Sequence, residues 1–110
     1  MSEIGVKNGV ATMINVFHVE PEDQKKLVAL LVETTESVMR HVPGFVSANI
    51  HASVDGTRVV NYAQWESEEH IEAMLADPEV HPHFAEVRAI ARPERGTYRV
   101  VYVEEANPRD

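Results

Sequence analysis

The tract "FVSANIHASVDGTRVVNYAQWE", residues 45–66, leaves the chain little choice of local structure. Both halves alternate in polarity and are rich in β-branched and aromatic residues, and the turn-forming Asp55-Gly56 parts them. They read as a β-hairpin with strands over 45–53 and 57–66. A segment of helical period stands on each side. Upstream, "EPEDQKKLVALLVETTESVMRHV" sets Leu27, Leu30, Leu31 and Val38 on one side and Lys26, Glu33, Glu36 and Arg40 on the other. Pro21 suits its first turn, Glu22 and Asp23 suit the positive end of its dipole, and Pro43-Gly44 ends it. Downstream, Ser67 is a good N-cap, followed by Glu68 and Glu69. That helix runs to about Leu75, breaks at Asp77-Pro78, and resumes over roughly 82–91 with Phe84, Val87, Ile90 and Ala91 as its apolar stripe. "VATMINVFHV" (10–19) and "GTYRVVYVE" (96–104) supply a strand at either end. The order β-α-β-β-α-β is the ferredoxin-like split arrangement, an α+β fold whose antiparallel sheet carries both helices on one face.

One domain accounts for all 110 residues, with a core over about 10–104 and loosely held ends. Ten basic against eighteen acidic side chains give a net charge of −8, which argues against nucleic acid and against an anionic membrane surface. The absence of cysteine excludes disulfides, thiolate metal sites and a Cys nucleophile. The N-terminal "MSEIGVKNGV" lacks the apolar core of a signal peptide, and no stretch approaches the roughly 20 apolar residues of a membrane span, so a cytoplasmic protein is expected.

Whether the hairpin carries a site depends on its register. Val59, Asn61, Ala63 and Trp65 share one side of strand three, and an amide two pleats from an indole does not look like plain core filling. Strand two divides into Phe45, Ser47, Asn49 and His51 on one side and Val46, Ala48, Ile50 and Ala52 on the other. A two-residue loop at Asp55-Gly56 would set Ile50 opposite Asn61 and scatter the polar groups. A three-residue loop, with Gly56 left-handed, would set Asn49 opposite Asn61, Phe45 opposite Trp65 and His51 opposite Val59. The three-residue loop is expected, because it separates a polar face from an apolar one. Such a polar face is equally compatible with plain exposure to solvent.

The string "VPGFVSANIHASVDGTRVVNYAQWES", and "DGTRVVNYAQW" within it, resembles the antibiotic biosynthesis monooxygenase family, in particular its small cofactor-independent quinone-forming oxygenases. The similarity extends over about residues 10 to 103. It implies a homodimer of the dimeric α/β-barrel type, its sheets packed face to face through Val46, Ala48, Ile50, Val60 and Tyr62. Each subunit would hold a pocket between its own sheet and helices. The resemblance further implies Asn61, Trp65 and His51 as catalytic residues, with Asn49, Phe45, Arg88, Asn15 and His83 binding substrate. Two features depart from the family pattern: Ile71 stands where relatives can have a tyrosine, and the "AEVR" string carrying Arg88 lies a few residues farther from Trp65.

The implied activity is oxidation of an electron-rich phenolic or anthrone-like aromatic to a quinone by dioxygen, with neither cofactor nor metal. The substrate itself would then reduce dioxygen. The Asn61 NH2 and Trp65 N–H would stabilise its anion and His51 would act as base. Two other readings share the scaffold. Haem-degrading oxygenases would use Asn15 and His83, but the tryptophan they need on the second helix is missing near Met74 and Leu75. A non-catalytic dimeric binder would have its pocket filled by Phe45, Phe84 and Leu75. Six histidines invite a metal site, yet His81 and His83 are two apart, poor spacing for one helix face, and lack a third ligand.

Overall fold

The computed structural model describes residues 10–106. Four antiparallel strands, β1 (Ala11–Val19), β2 (Phe45–Ala52), β3 (Arg58–Trp65) and β4 (Ala91–Tyr98), form one sheet in the order β2-β3-β1-β4. Three helices, α1 (Gln24–Ser37), α2 (Glu68–Leu75) and α3 (His81–Arg88), complete the ferredoxin-like split β-α-β-β-α-β fold, its second helix broken in two. Among the described residues no helix is long and apolar enough to cross a membrane.

Local chemistry accounts for the helix ends. A 3-10 turn at Pro21–Asp23 leads into α1, and the Ser67 hydroxyl caps α2 by accepting from the His70 N–H at 3.2 Å. α1 stops at Ser37, earlier than its periodicity suggests, and a second 3-10 turn covers Met39–His41. Gly44 then turns the chain at φ +89°, where a Cβ would lie 2.3 Å from the His70 ring. Its carbonyl accepts from Glu66 N–H at 2.8 Å, which fastens the start of β2 to the end of β3.

The fourth strand differs from expectation. It covers Ala91–Tyr98 rather than 96–104, so Ile90 and Ala91 leave the helix, and the apolar "VYV" that looked most strand-like is exposed beyond its end. Position explains this: β4 is an edge strand, where Pro93 can turn its missing N–H to the outside.

The hairpin register also differs. Ser53 N–H donates to the Arg58 carbonyl, so the loop holds four residues, with Gly56 at φ +82°. Its hub is the Asp55 carboxylate, which accepts from the Thr57 hydroxyl at 2.7 Å, the Ser53 hydroxyl at 2.8 Å and the Thr57 N–H at 3.0 Å. The Thr57 hydroxyl leads these bonds in holding the exposed Asp55 carboxyl at a pKa of about 2. Ile50 therefore faces Asn61, Asn49 faces Tyr62 and His51 faces Val60. A bulge at Val46 absorbs one residue and returns Phe45 to its place opposite Trp65.

Two faces result. Val59, Asn61, Ala63 and Trp65 of β3 point toward the helices, with Ala48 and Ile50 beside them. Ala48 and Ile50 thus leave the apolar outer face expected of them. The outer face instead combines Val60 and Tyr62 with Ile14 and Val16 of β1, and with Asn49 and His51.

Candidate active site

Beneath the helices the core is divided. One apolar cluster gathers Met13, Ala63, Trp65, Ile71 and Met74; the other gathers Phe17, Leu27, Leu31, Val59 and Val87. Between them runs one cross-strand row in register, Ile50, Asn61, Asn15 and Arg95, contributed in turn by β2, β3, β1 and β4. Directly opposed side chains in such a row stand on the same face within about 5 Å of one another. A cavity opens above the row. Its enclosed volume is about 60 Å³, and it widens outward to solvent at its mouth.

Asn15, Asn61 and Ala63 line the cavity from the sheet, Leu31, Thr34 and Thr35 from α1, and Phe84, Val87 and Arg88 from α3. Phe45 and Trp65 meet at its wall edge to face, 5.5 Å between centroids and 88° between planes. That contact fixes the indole through the quadrupoles of both rings. The lining is therefore largely apolar, with a few polar groups set into it.

Those polar groups are unusual in having nothing to bond. The Asn15 and Asn61 side-chain oxygens and the Trp65 indole nitrogen are all buried without a hydrogen-bond partner. Trp65 is only 1 % exposed and Asn15 only 8 %. Each such group costs about 1–3 kcal/mol of desolvation that folding alone does not recover. Packing would be better served by Leu or Val at these positions. The amides offer both donors and acceptors, the indole a donor.

Of the residues expected at the site, Asn15, Phe45, Asn61, Trp65, His83 and Arg88 line this cavity. Asn49 and His51 do not. Both lie on the outer face, where Asn49 donates to the Tyr62 carbonyl at 3.2 Å and His51 is exposed. The four-residue loop causes the loss, since a shift of one residue carries every side chain of β2 through the sheet. His83 and His81 part company: His83 stands at the cavity with Glu86 3.7 Å from its Nδ1, while the His81 ring bonds the Leu75 carbonyl at 2.8 Å. Arg95 also lines the cavity and was not foreseen. Alternation of Ala91, Pro93, Arg95 and Thr97 would have revealed it, once Pro93 was allowed on an edge strand.

The sequence pattern described as antibiotic biosynthesis monooxygenase matches residues 11–89. The chain belongs to that family. It is 50 % identical over 94 residues to the tetracenomycin-F1 monooxygenase of Streptomyces glaucescens, an alignment covering 86 % of this chain and 84 % of that protein. Among solved structures, a monooxygenase from the gene ActVA-Orf6 of Streptomyces coelicolor, in complex with nanaomycin D, superposes with a TM-score of 0.82 at 33 % identity. The match covers 91 % of this chain and 95 % of that one. SnoaB, a cofactor-independent oxygenase from Streptomyces nogalater, superposes with a TM-score of 0.70 at 25 % identity, over 91 % of this chain and 98 % of its own. The family relationship thus accounts for the architecture on which the divided core and its polar row are built.

Proposed function

We propose that this protein is a cofactor-independent monooxygenase that oxidises an electron-rich phenolic or anthrone-like aromatic to a quinone with dioxygen. The observation that carries the reading is the trio of buried, unpartnered polar atoms, the Asn15 and Asn61 side-chain oxygens and the Trp65 indole nitrogen, beside a largely apolar cavity. The orphaned Trp65 N–H is a donor already desolvated and held in place, which interacts strongly with negative charge developing on a bound substrate, while the orphaned Asn15 and Asn61 oxygens can accept from its hydroxyls. The relatives point the same way. One is named for tetracenomycin F1, another holds nanaomycin D, and a third is described as working without cofactor.

In this reading a proton leaves the activated ring carbon, and the electron pair delocalises onto an aromatic oxygen. The Asn61 NH2 and Trp65 N–H hold that oxyanion. The anion passes one electron to dioxygen, and recombination forms a C–O bond as a peroxide. Loss of the second proton from the same carbon then breaks the O–O bond, leaving a carbonyl and releasing water. A CH2 becomes a C=O, one oxygen atom stays with the product, and four electrons move from carbon to dioxygen. His51 cannot serve as base from the outer face. His83, the histidine at the cavity wall, takes that role.

The protein acts as a homodimer in the same proposal, its sheets facing each other. Ile14, Val16, Val60 and Tyr62 form the apolar part of that surface, in place of the Ala48 and Ile50 expected from the sequence.

Oxygen uptake with a panel of anthrones and hydroquinols, without added cofactor, tests the activity. Asn61→Ala and Trp65→Phe should each lower turnover by about 10²–10³-fold while the folded spectrum is kept. Either variant turning over at the wild-type rate rejects the mechanism.

A further inference from the structure

The mouth of the cavity carries charge that the oxidation does not use. Arg95 is the last member of the cross-strand row, beside Asn15 and one strand removed from Asn61. Its guanidinium lies over the Phe84 ring, 5.5 Å from the centroid. A cation–π contact of that kind uses none of the five guanidinium N–H donors. Among the described residues no carboxylate pairs with it: the ion pairs there are His18 with Glu94, Arg58 with Asp55, and His83 with Glu86.

The surroundings sharpen the point. The chain as a whole carries a net charge of −8, yet no Asp or Glu lines the cavity, whereas Arg88, Arg95 and His83 do. In an acidic protein the lining of this hollow thus holds two arginines and no carboxylate, with Glu86 behind His83. The oxyanion formed in the oxidation is already met by Asn61 and Trp65, and it gives no reason for a second cationic group at the far end of the row. A planar fork of donors without a carboxylate partner of its own matches a carboxylate on a ligand, which accepts two parallel N–H bonds.

We propose that Arg95 is a specificity-determining residue that selects aromatic substrates bearing a carboxylate on the part of the skeleton remote from the ring being oxidised. The inference rests on the reading of the cavity as a site for flat polycyclic aromatics. The row then grades along its length: the neutral amides of Asn61 and Asn15 face the ring being oxidised, and an exposed cation at the sheet edge meets the distal anion. Binding energy from that remote contact fixes the register of the skeleton over Asn61, so the correct ring carbon is presented.

Binding of anthraquinone-2-carboxylate and of its methyl ester, followed by quenching of the single tryptophan, tests this independently of turnover. Wild-type protein should hold the acid about tenfold or more tighter than the ester, as expected when a charge-assisted pair is lost. Arg95→Gln should weaken the acid by that factor and leave the ester unchanged, Arg95→Lys should retain part of the preference, and Lys26→Gln on the exposed side of α1 should retain all of it. Equal binding of acid and ester by wild type overturns the proposal, as does an Arg95→Gln variant that weakens both alike, or failure of the acid to bind. A preserved acid preference without oxygen uptake on any anthrone supports the assignment of Arg95 while removing the proposed oxidation. Oxygen uptake without an acid preference does the reverse.

Discussion

Val59 and Val60 are neighbours in β3, yet their surroundings have little in common. Val59 is fully buried in one cluster with Leu27 and Leu31; Val60 faces away from the helices beside Tyr62, Ile14 and Val16, all half-covered. The helix side of the sheet is dense at both ends and interrupted in the middle by two amides. The outer side is mixed throughout: Gln64 and Thr12 lie opposite each other and buried, Thr12 Oγ1 and Gln64 Nε2 without partners, His18 reaches Glu94, and His51 is exposed. The contrast teaches where specificity of fold and specificity of chemistry reside. The packed ends hold the strands in register, and the interruption between them supplies the groups that a substrate can engage.

Four measurements would break or sharpen that contrast. The largest effect is expected in the packed region: Leu27→Ala should cost about 2–5 kcal/mol of stability by denaturant unfolding, because a side chain with no exposure leaves a cavity. Asn61→Ala, in the interruption, should leave the midpoint unchanged or raise it, since it removes an orphaned buried amide oxygen. If both variants unfold early, the amide row belongs to the core and the contrast fails.

Next, His83→Ala should slow turnover by about 10²-fold or more, whereas His51→Ala on the far face should stay within about twofold. Comparable losses in both would mean that the outer face reaches the chemistry. On that outer face, Tyr62→Asp should shift the protein from dimer to monomer in sedimentation, without lowering the unfolding midpoint of the monomer itself. A dimer that survives the added charge has its contact elsewhere.

The smallest effect concerns the hairpin loop. Asp55 titrates at about 2 in the folded protein against an ordinary 3.8, so its contribution is fully present above about pH 4 and fades as pH falls toward 2. The melting temperature of Asp55→Ala should therefore trail wild type at pH 6 and converge with it near pH 2. A gap that persists at pH 2 would mean that the loop is held by something other than the carboxylate.

Much of this architecture was legible in the residues. Ser67 announced a cap, the alternation of "RVVNYAQW" placed Asn61 and Trp65 on one side, and the apolar stripe of α1 found its core. What escaped depends on interactions that pattern does not record. The loop at Ser53–Arg58 is set by side-chain bonds to Asp55, and from it follows the side on which Asn49 and His51 emerge. The fourth strand escaped because "ARPERG" has poor strand character and pairs only because β1 offers it a ladder, while the more promising "VYV" finds no partner strand. Arg95 went unseen for the same reason.

The kink at Val46 has a wider implication. By accepting one surplus residue there, the chain lets Phe45 keep its place at the indole while everything beyond it in β2 obeys a different phase. Sliding that surplus two positions along the strand would swap Ser47 for Ala48 beside the hollow and leave both anchors untouched. Descendants of such a scaffold could thus reshape what they accept through an insertion or deletion in one short segment, with no need to rebuild the parts that keep them folded.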